Sequence, residues 1–374
     1  MSEVATIDPE RAVRRLEQLV NAETPSGDAP RLRAAHALLR QWGDAVFARP
    51  AVEREVDGVP HLLWPAAADG PSVLLLCHLD TVFPAGTVAA RPFRRTGDRA
   101  TGPGIFDMKA GIVIGLEALG TLADTSRISM LVTGDEETGS VTSRALIEEE
   151  ARTAAAVLVL EPSLDGALKT GRKGGSFYHL EFKGLAAHAG LEPEKGRNAL
   201  SEMARWTLDL PGLARPDVGT TLTPTVATAG TANNVVPERA HLTVDVRART
   251  LAELERVHAE VLDRQPGNGI ELKVVGGINR PPLEPAASTW LLGLCREAAR
   301  DLRLPLPRTA SVGGASDANF TAAVGAPTLD GLGPVGDGAH AEHEWVDLSC
   351  LAPAARLLAG LVERILDDVV ASAG

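Results

Sequence analysis

Cysteine is nearly absent from the 374-residue chain: Cys77, Cys295 and Cys350 are the only three. An odd number without C-x-x-C spacing excludes a disulfide framework and offers no thiolate zinc site. Cys77, closing an apolar run, reads as a small buried residue. Long apolar segments are also missing. No stretch approaches the ~20 residues of a membrane span. The opening residues MSEVATIDPERAVRRLEQLV carry neither an apolar signal region nor a small-residue cleavage site, so the expectation is a cytoplasmic protein with no membrane partner. Positive charge is in deficit. The 37 Lys and Arg against 49 Asp and Glu leave a net charge of -12, which repels phosphate backbones and argues against nucleic acid as a partner. Low-complexity tracts and internal repeats are lacking too. What is there, 44% hydrophobic and 23% charged residues, is the composition of a folded globular protein, and the length favours two domains or one with an insertion.

Three short runs, SVLLLC (72–77), ISMLV (128–132) and AVLVLE (156–161), have the length and β-branched content of strands buried on both faces. AGIVIGLEALGTL (110–122) between them has helical length and periodicity, and Val13, Leu16, Leu19 and Val20 mark an amphipathic helix near the N-terminus. Strand alternating with helix predicts a doubly wound, mostly parallel α/β sheet. From residue 174 the pattern changes to β-α-β-β-α-β, the ferredoxin-like order, and two helical segments then return to cover the first sheet. The expected division is a discontinuous larger domain, 1–173 and 283–374, with an inserted α+β domain at 174–282.

In such a sheet, sites form beyond the carboxyl ends of the strands. There SVLLLC is followed by HLDTV, with His78 and Asp80. ISMLV is followed by TGDEETGS, with Asp135, Glu136 and Glu137, and AVLVL ends in Glu161. Asp107 follows the glycine turn TGPGIFDMKAG, and GDGAHAEHEWV adds His340, His343 and Glu344. An acidic triplet is ordinarily solvated loop, and one histidine after a strand is ordinarily a cap or core residue. Buried strands that end together in His and Glu, with no Arg or Lys at those ends, instead need a cation to offset their charge. Imidazole with carboxylate and no thiolate fits zinc, ahead of cobalt or manganese, in an open catalytic site. The donor set exceeds the needs of one tetrahedral zinc and suits two metals about 3.5 to 4 Å apart. One of Glu136 and Glu137 can then hold metal while its neighbour stays free as a base.

The segments LLCHLDTV, GPGIFDMKAG, TGDEETGS, LEPS, GLAAHAGLEPEKGRNAL, NVVPERA and GAHAEHEWV resemble, in order, the motifs of the zinc-dependent aminoacylase and glutamate carboxypeptidase family, which includes acetylornithine deacetylase and succinyl-diaminopimelate desuccinylase. The resemblance implies two zinc ions per subunit. Asp107 would bridge them, with His78 and Glu161 on one ion and Glu137 and His340 on the other. It implies Glu136 as general base, Asp80 as the carboxylate that fixes the His78 tautomer, and a cis peptide between Asp107 and Met108. The inserted domain resembles the family's dimerisation module, and His188 resembles the histidine that donates to the oxyanion. In a homodimer, His188 and Asn234 would reach the partner subunit's site. Lys169, Arg247 and Arg280 resemble the residues with which folate-cleaving glutamate carboxypeptidases hold a C-terminal glutamate. Where that branch has Gly-Gly-Gly-Thr-Asp, this chain has GGASDAN (313–319), with a methyl group at Ala315.

The function implied is release of a C-terminal amino acid, foremost glutamate, from a small peptide or N-acyl amino acid. The rival within the family is an N-acyl-amino-acid deacylase. A non-catalytic metal- or peptide-binding homologue is the rival from another class, and it has no need of Glu136.

Overall fold

The apolar runs become the central strands because β-branched and leucine side chains fill both faces of a sheet that is covered on each side. In the computed structural model, which describes residues 6–373, every residue of strand Ser72–His78 is buried, as is every residue of Ile128–Thr133. The first five residues of the N-terminal stretch discussed above lie outside the described residues. The strands Ser72–His78, Ile128–Thr133, Ala154–Val159 and Thr328–Asp330 pair in parallel, with Leu75 opposite both Met130 and Leu158. The whole sheet has eight strands in the order 52–56, 59–64, 128–133, 72–78, 154–159, 328–330, 167–172 and 308–312.

The sheet is thus mostly parallel at its centre with antiparallel additions. The hairpin Val52–Val56 with Val59–Trp64 joins Ile128–Thr133 in antiparallel fashion. This hairpin had no signal in the apolar pattern, because its outer strand, VEREV, is wholly exposed. Helix Ala110–Leu119 is buried at every position and packs on the sheet, as does the long helix Leu351–Ala373. Among the described residues no helix is long and apolar enough to cross a membrane.

The chain separates into two compact units, 1–170 with 285–311 and 316–374, and 171–284 with 312–315. The larger unit has its own apolar core around the central strands. The smaller has a four-stranded antiparallel sheet in the order 221–229, 239–248, 174–183 and 271–280. Helices Ala199–Asp209 and Leu251–Asp263 cover one face of it, and a second core around Tyr178, Phe182, Trp206 and Val244 lies between.

One glycine sets how closely helix and sheet approach at the ligand-bearing end. At Gly111, in the first turn of Ala110–Leu119, a Cβ would overlap the carbonyl oxygen of Leu160, the residue before Glu161. Backbone cannot yield as a flexible side chain does, so Gly111→Ala forces helix and strand apart. We expect it to destabilise the protein by about 1–3 kcal/mol, read as a lower thermal midpoint and as weakened metal retention.

Candidate metal centre

His78 closes the central strand and is almost wholly buried, with 1% of its side chain exposed. Its Nε2 lies 3.1 Å from Asp107 Oδ1 and 3.6 Å from Glu161 Oε1. Its Nδ1 lies 3.0 Å from the backbone carbonyl of Asp80 and 3.6 Å from that residue's carboxylate. The backbone oxygen is the nearer acceptor for an Nδ1 proton, and Nε2 faces the acids. The Asp80 carboxylate, fully buried, also accepts the backbone N–H groups of Glu136 and Glu137 at 3.1 and 3.2 Å and the Ser26 hydroxyl at 2.7 Å. It therefore pins the acidic loop to the end of the neighbouring strand.

Asp107 sits beyond the left-handed Gly104, and its peptide bond to Met108 is cis, as the family resemblance implies. Its two oxygens face opposite ways. Oδ1 faces His78, and Oδ2 lies 3.5 Å from Nε2 of His340, which is itself 2.8 Å from Glu137 Oε2. His340 has φ of 66°, a left-handed conformation unusual for a residue with a Cβ, so the loop rather than local preference dictates where its ring points. Ligand atoms of His78, Asp107 and Glu137 all fall within 4.8 Å of one another. Lys169 Nζ is 4.0 Å from Glu161 Oε2 on the far side.

Carboxylates to which the sequence assigned no role hold these groups in place. Glu344, 1% exposed, accepts N–H bonds from Gly104 (2.8 Å), Phe106 (2.8 Å) and Asp107 (2.9 Å), and so shapes the turn that presents Asp107. Burial pushes its carboxyl up to about 7, against those three donors. Burial also lowers the Lys109 ammonium to about 7 while Glu344 favours its charge, and Lys109 donates to the carbonyl of Ala22 at 2.9 Å. Asp135 turns away from Glu136 and Glu137 and accepts from Thr142 N–H (2.7 Å) and hydroxyl (2.8 Å). Asp317 receives the hydroxyl of the fully buried Ser140 and that of Thr133 beneath the same loop. The only sign of these roles in the sequence is proximity to the motif residues.

The other predicted residues lie in the smaller unit. His188 and Asn234 are neighbours: His188 bridges to Val235, and Ala189 N–H donates to the Asn234 carbonyl at 2.8 Å. His188 Nδ1 accepts the Gly190 N–H at 3.1 Å, which leaves the proton on the exposed Nε2. Arg247 and Arg280 both stand opposite Gly175, on the two strands that flank it. Arg247 forms a bidentate pair with Asp245 at 2.8 Å and lies over the Phe177 ring. Arg280 is buried. In GGASDAN, the Gly314 and Ala315 carbonyls accept from Arg172 at 3.2 and 3.4 Å.

Two imidazole nitrogens, each facing two carboxylate oxygens and sharing one carboxylate, make a donor set suited to a pair of divalent cations without thiolate ligands. His78 and Glu161 flank one side of Asp107, His340 and Glu137 the other.

Residues 74–364 match the model of peptidase family M20/M25/M40. The chain belongs to this family. It is 33% identical to carboxypeptidase G2 of Pseudomonas sp. (strain RS-16), over 96% of this chain and 91% of that one. It is 29% identical to succinyl-diaminopimelate desuccinylase of Methylobacterium sp. (strain 4-46), over 85% and 87%. Among solved structures, aminopeptidase PepT from Bacillus cereus superposes with a TM-score of 0.78 at 23% identity, over 97% of this chain and 100% of that one. The M20 family metallo-carboxypeptidase Sso-CP2 from Sulfolobus solfataricus superposes at 0.69 and 15%, over 95% and 99%, and the two show the same fold. Membership makes this M20/M25/M40 chain a metallopeptidase.

Without metal, the acids hold protons on both imidazoles. Hydrogen bonds to Asp107 and Glu137 push His340 up to about 10. Burial disfavours a charged His78, but its bonds to Asp107 and Asp80 prevail and raise it well above the usual range. Both shifts favour the protonated ring, and a protonated ring must lose a proton to ligate. Loading the M20/M25/M40 apoprotein with metal should therefore release protons, and affinity should fall as pH is lowered. Titration calorimetry in buffers of different ionisation enthalpy measures this. Release of no protons would show that these rings are not the ligands.

Proposed function

We propose that this metallopeptidase is a dinuclear zinc amidohydrolase that releases a C-terminal amino acid, glutamate by preference, from a small peptide or N-acyl amide, acting as a cytoplasmic homodimer. The observation that carries this reading is the two-sided presentation of Asp107. His78, Asp107 and Glu161 would hold one zinc, and His340, Asp107 and Glu137 the other. When bound, the pair supplies Lewis acidity and makes water in the site acidic enough to ionise near neutral pH.

The chain's own residues do the rest. Glu136, anchored through its backbone to Asp80, accepts a proton from the attacking water and returns it to the amide nitrogen as the C–N bond breaks. His188 of the partner subunit, with the Nε2 proton its tautomer leaves free, donates to the oxyanion, and Asn234 supports the same segment. Lys169, Arg247 and Arg280 receive the carboxylates of the released residue. The carboxypeptidase G2 relative supports the C-terminal-residue reading. The desuccinylase relatives support a second one, an N-acyl-amino-acid deacylase using the same residues.

The two neighbouring glutamates separate in their roles. Glu136→Gln should keep both metals and lose about 10²- to 10⁴-fold in turnover, whereas Glu137→Gln should lose metal first. Metal analysis beside single-turnover rates tests this, and a demetallated Glu136→Gln beside a loaded Glu137→Gln would reverse the assignment.

Specificity follows from charge. Each charge-assisted contact to the second carboxylate of glutamate is worth about 1.5–3 kcal/mol. Acyl-Glu should accordingly exceed acyl-Ala and acyl-Leu in kcat/KM by about tenfold or more, and Lys169→Ala or Arg280→Ala should erode that preference more than it slows neutral substrates. Equal rates on Glu and Leu substrates leave the general deacylase standing.

A further inference from the structure

The larger unit contains a second recess that no step of hydrolysis uses. It is a cleft of about 460 Å³ between the turn that follows Glu161, the segment 304–308 and the start of helix Leu351–Ala373. Leu168 and Leu332 line its floor, and Leu304, Val335, Ala354 and Leu357 its walls. The Cys350 thiol also faces it, and burial raises that thiol to about 11, so it stays neutral. Ser163 is already engaged: its hydroxyl donates to the Pro334 carbonyl and accepts the Gly166 N–H. Among the described residues that line the cleft, Asp165 and Arg308 are the only charged side chains, one of each sign. They meet at one rim, where the Arg308 guanidinium donates to the Asp165 backbone carbonyl, and both are exposed.

An apolar recess of this size, rimmed by a guanidinium and by the acidic residue whose backbone carbonyl that guanidinium binds, matches a small molecule of the same polarity: an apolar body carrying a carboxylate and an ammonium. We propose that this cleft binds a free apolar L-amino acid, its carboxylate at Arg308, its ammonium at Asp165 and its side chain between Leu168, Leu332 and Leu357. A purely hydrophobic ligand would leave both rim charges unused, and an acidic one would face Asp165. Ser163, Asp165, Gly166 and Leu168, from the segment between Glu161 and Lys169, line the cleft, so its occupant touches that segment. The inference does not rest on which substrate the enzyme cleaves.

Calorimetric titration of the zinc-loaded full-length protein with L-leucine tests it, alongside isocaproate, which lacks the ammonium, isopentylamine, which lacks the carboxylate, and glycine, which lacks the side chain. We expect saturable leucine binding and a raised thermal midpoint. Each half-ligand should bind about tenfold more weakly or worse, and glycine should give no heat. Arg308→Gln, a surface change that preserves folding, should weaken leucine about tenfold while leaving kcat/KM within about twofold, and Ala354→Trp, which fills the recess, should abolish binding. Three results overturn the proposal: no leucine binding at millimolar concentration, isocaproate binding as tightly as leucine, or an unchanged leucine affinity in Arg308→Gln. The last would place the ligand in the hydrolytic site.

Discussion

The candidate centre depends on one carboxylate held between two imidazoles. Asp107 presents Oδ1 to His78 and Oδ2 to His340, and every other donor is arranged around that axis. Gathering His78, His340, Asp107, Glu137 and Glu161 within a few ångströms crowds like charges together, which destabilises the protein unless something rigid opposes their separation. The opposing force is backbone hydrogen bonding. Three further buried carboxylates, Asp80, Asp135 and Glu344, accept main-chain N–H groups of the very loops that carry the donors. The acids around the site therefore divide into those that face one another and those that fix the loops.

That division limits what the sequence could disclose. The central strands were legible because SVLLLC and ISMLV have no polar position to spare, and His78 and Glu161 were legible because they interrupt such runs at one edge of the sheet. In the acidic triplet nothing local distinguishes Asp135, whose side chain turns back to Thr142, from Glu137, whose side chain reaches His340. Spacing along a tight turn assigns the directions, and φ/ψ values are not written in residue types. Glu344 was visible as one more acid near His340, but its partners lie about 240 residues earlier in the chain. The exposed hairpin strand VEREV is illegible in the sequence for the opposite reason: its interior is charged rather than apolar.

In the smaller unit the same limit applies to arginine. Arg247 and Arg280 are far apart in sequence, yet the register of the sheet sets both against Gly175, whose missing side chain leaves room for the Arg247 guanidinium. The sequence marks Arg247 as a basic residue in a strand. It does not mark that Asp245, two residues earlier on the same face, already binds it in bidentate fashion. Any anion that uses Arg247 must share it with Asp245 or displace Asp245, which lowers the net gain from that contact relative to an unengaged guanidinium.

The two halves of the candidate centre are not equivalent, and the difference is built into where each ligand stands. His78 ends a buried strand, and Glu161 stands two residues beyond another, so both inherit the rigidity of the sheet; the His78 side chain is 1% exposed. His340 stands on a loop in a left-handed conformation with 54% of its side chain exposed, and Glu137 comes from a short turn held by Asp80. A ligand set by a sheet keeps its position without a cation, whereas one set by loops keeps it through the hydrogen bonds of those loops and its contact with Asp107. Desolvation also weighs more on the His78 side. An ion there would exchange a larger share of its hydration for fixed protein donors, while one on the His340 side would retain access to water. In the proposed dinuclear site, the sheet side would hold the geometry and the more exposed loop side would admit the reacting groups.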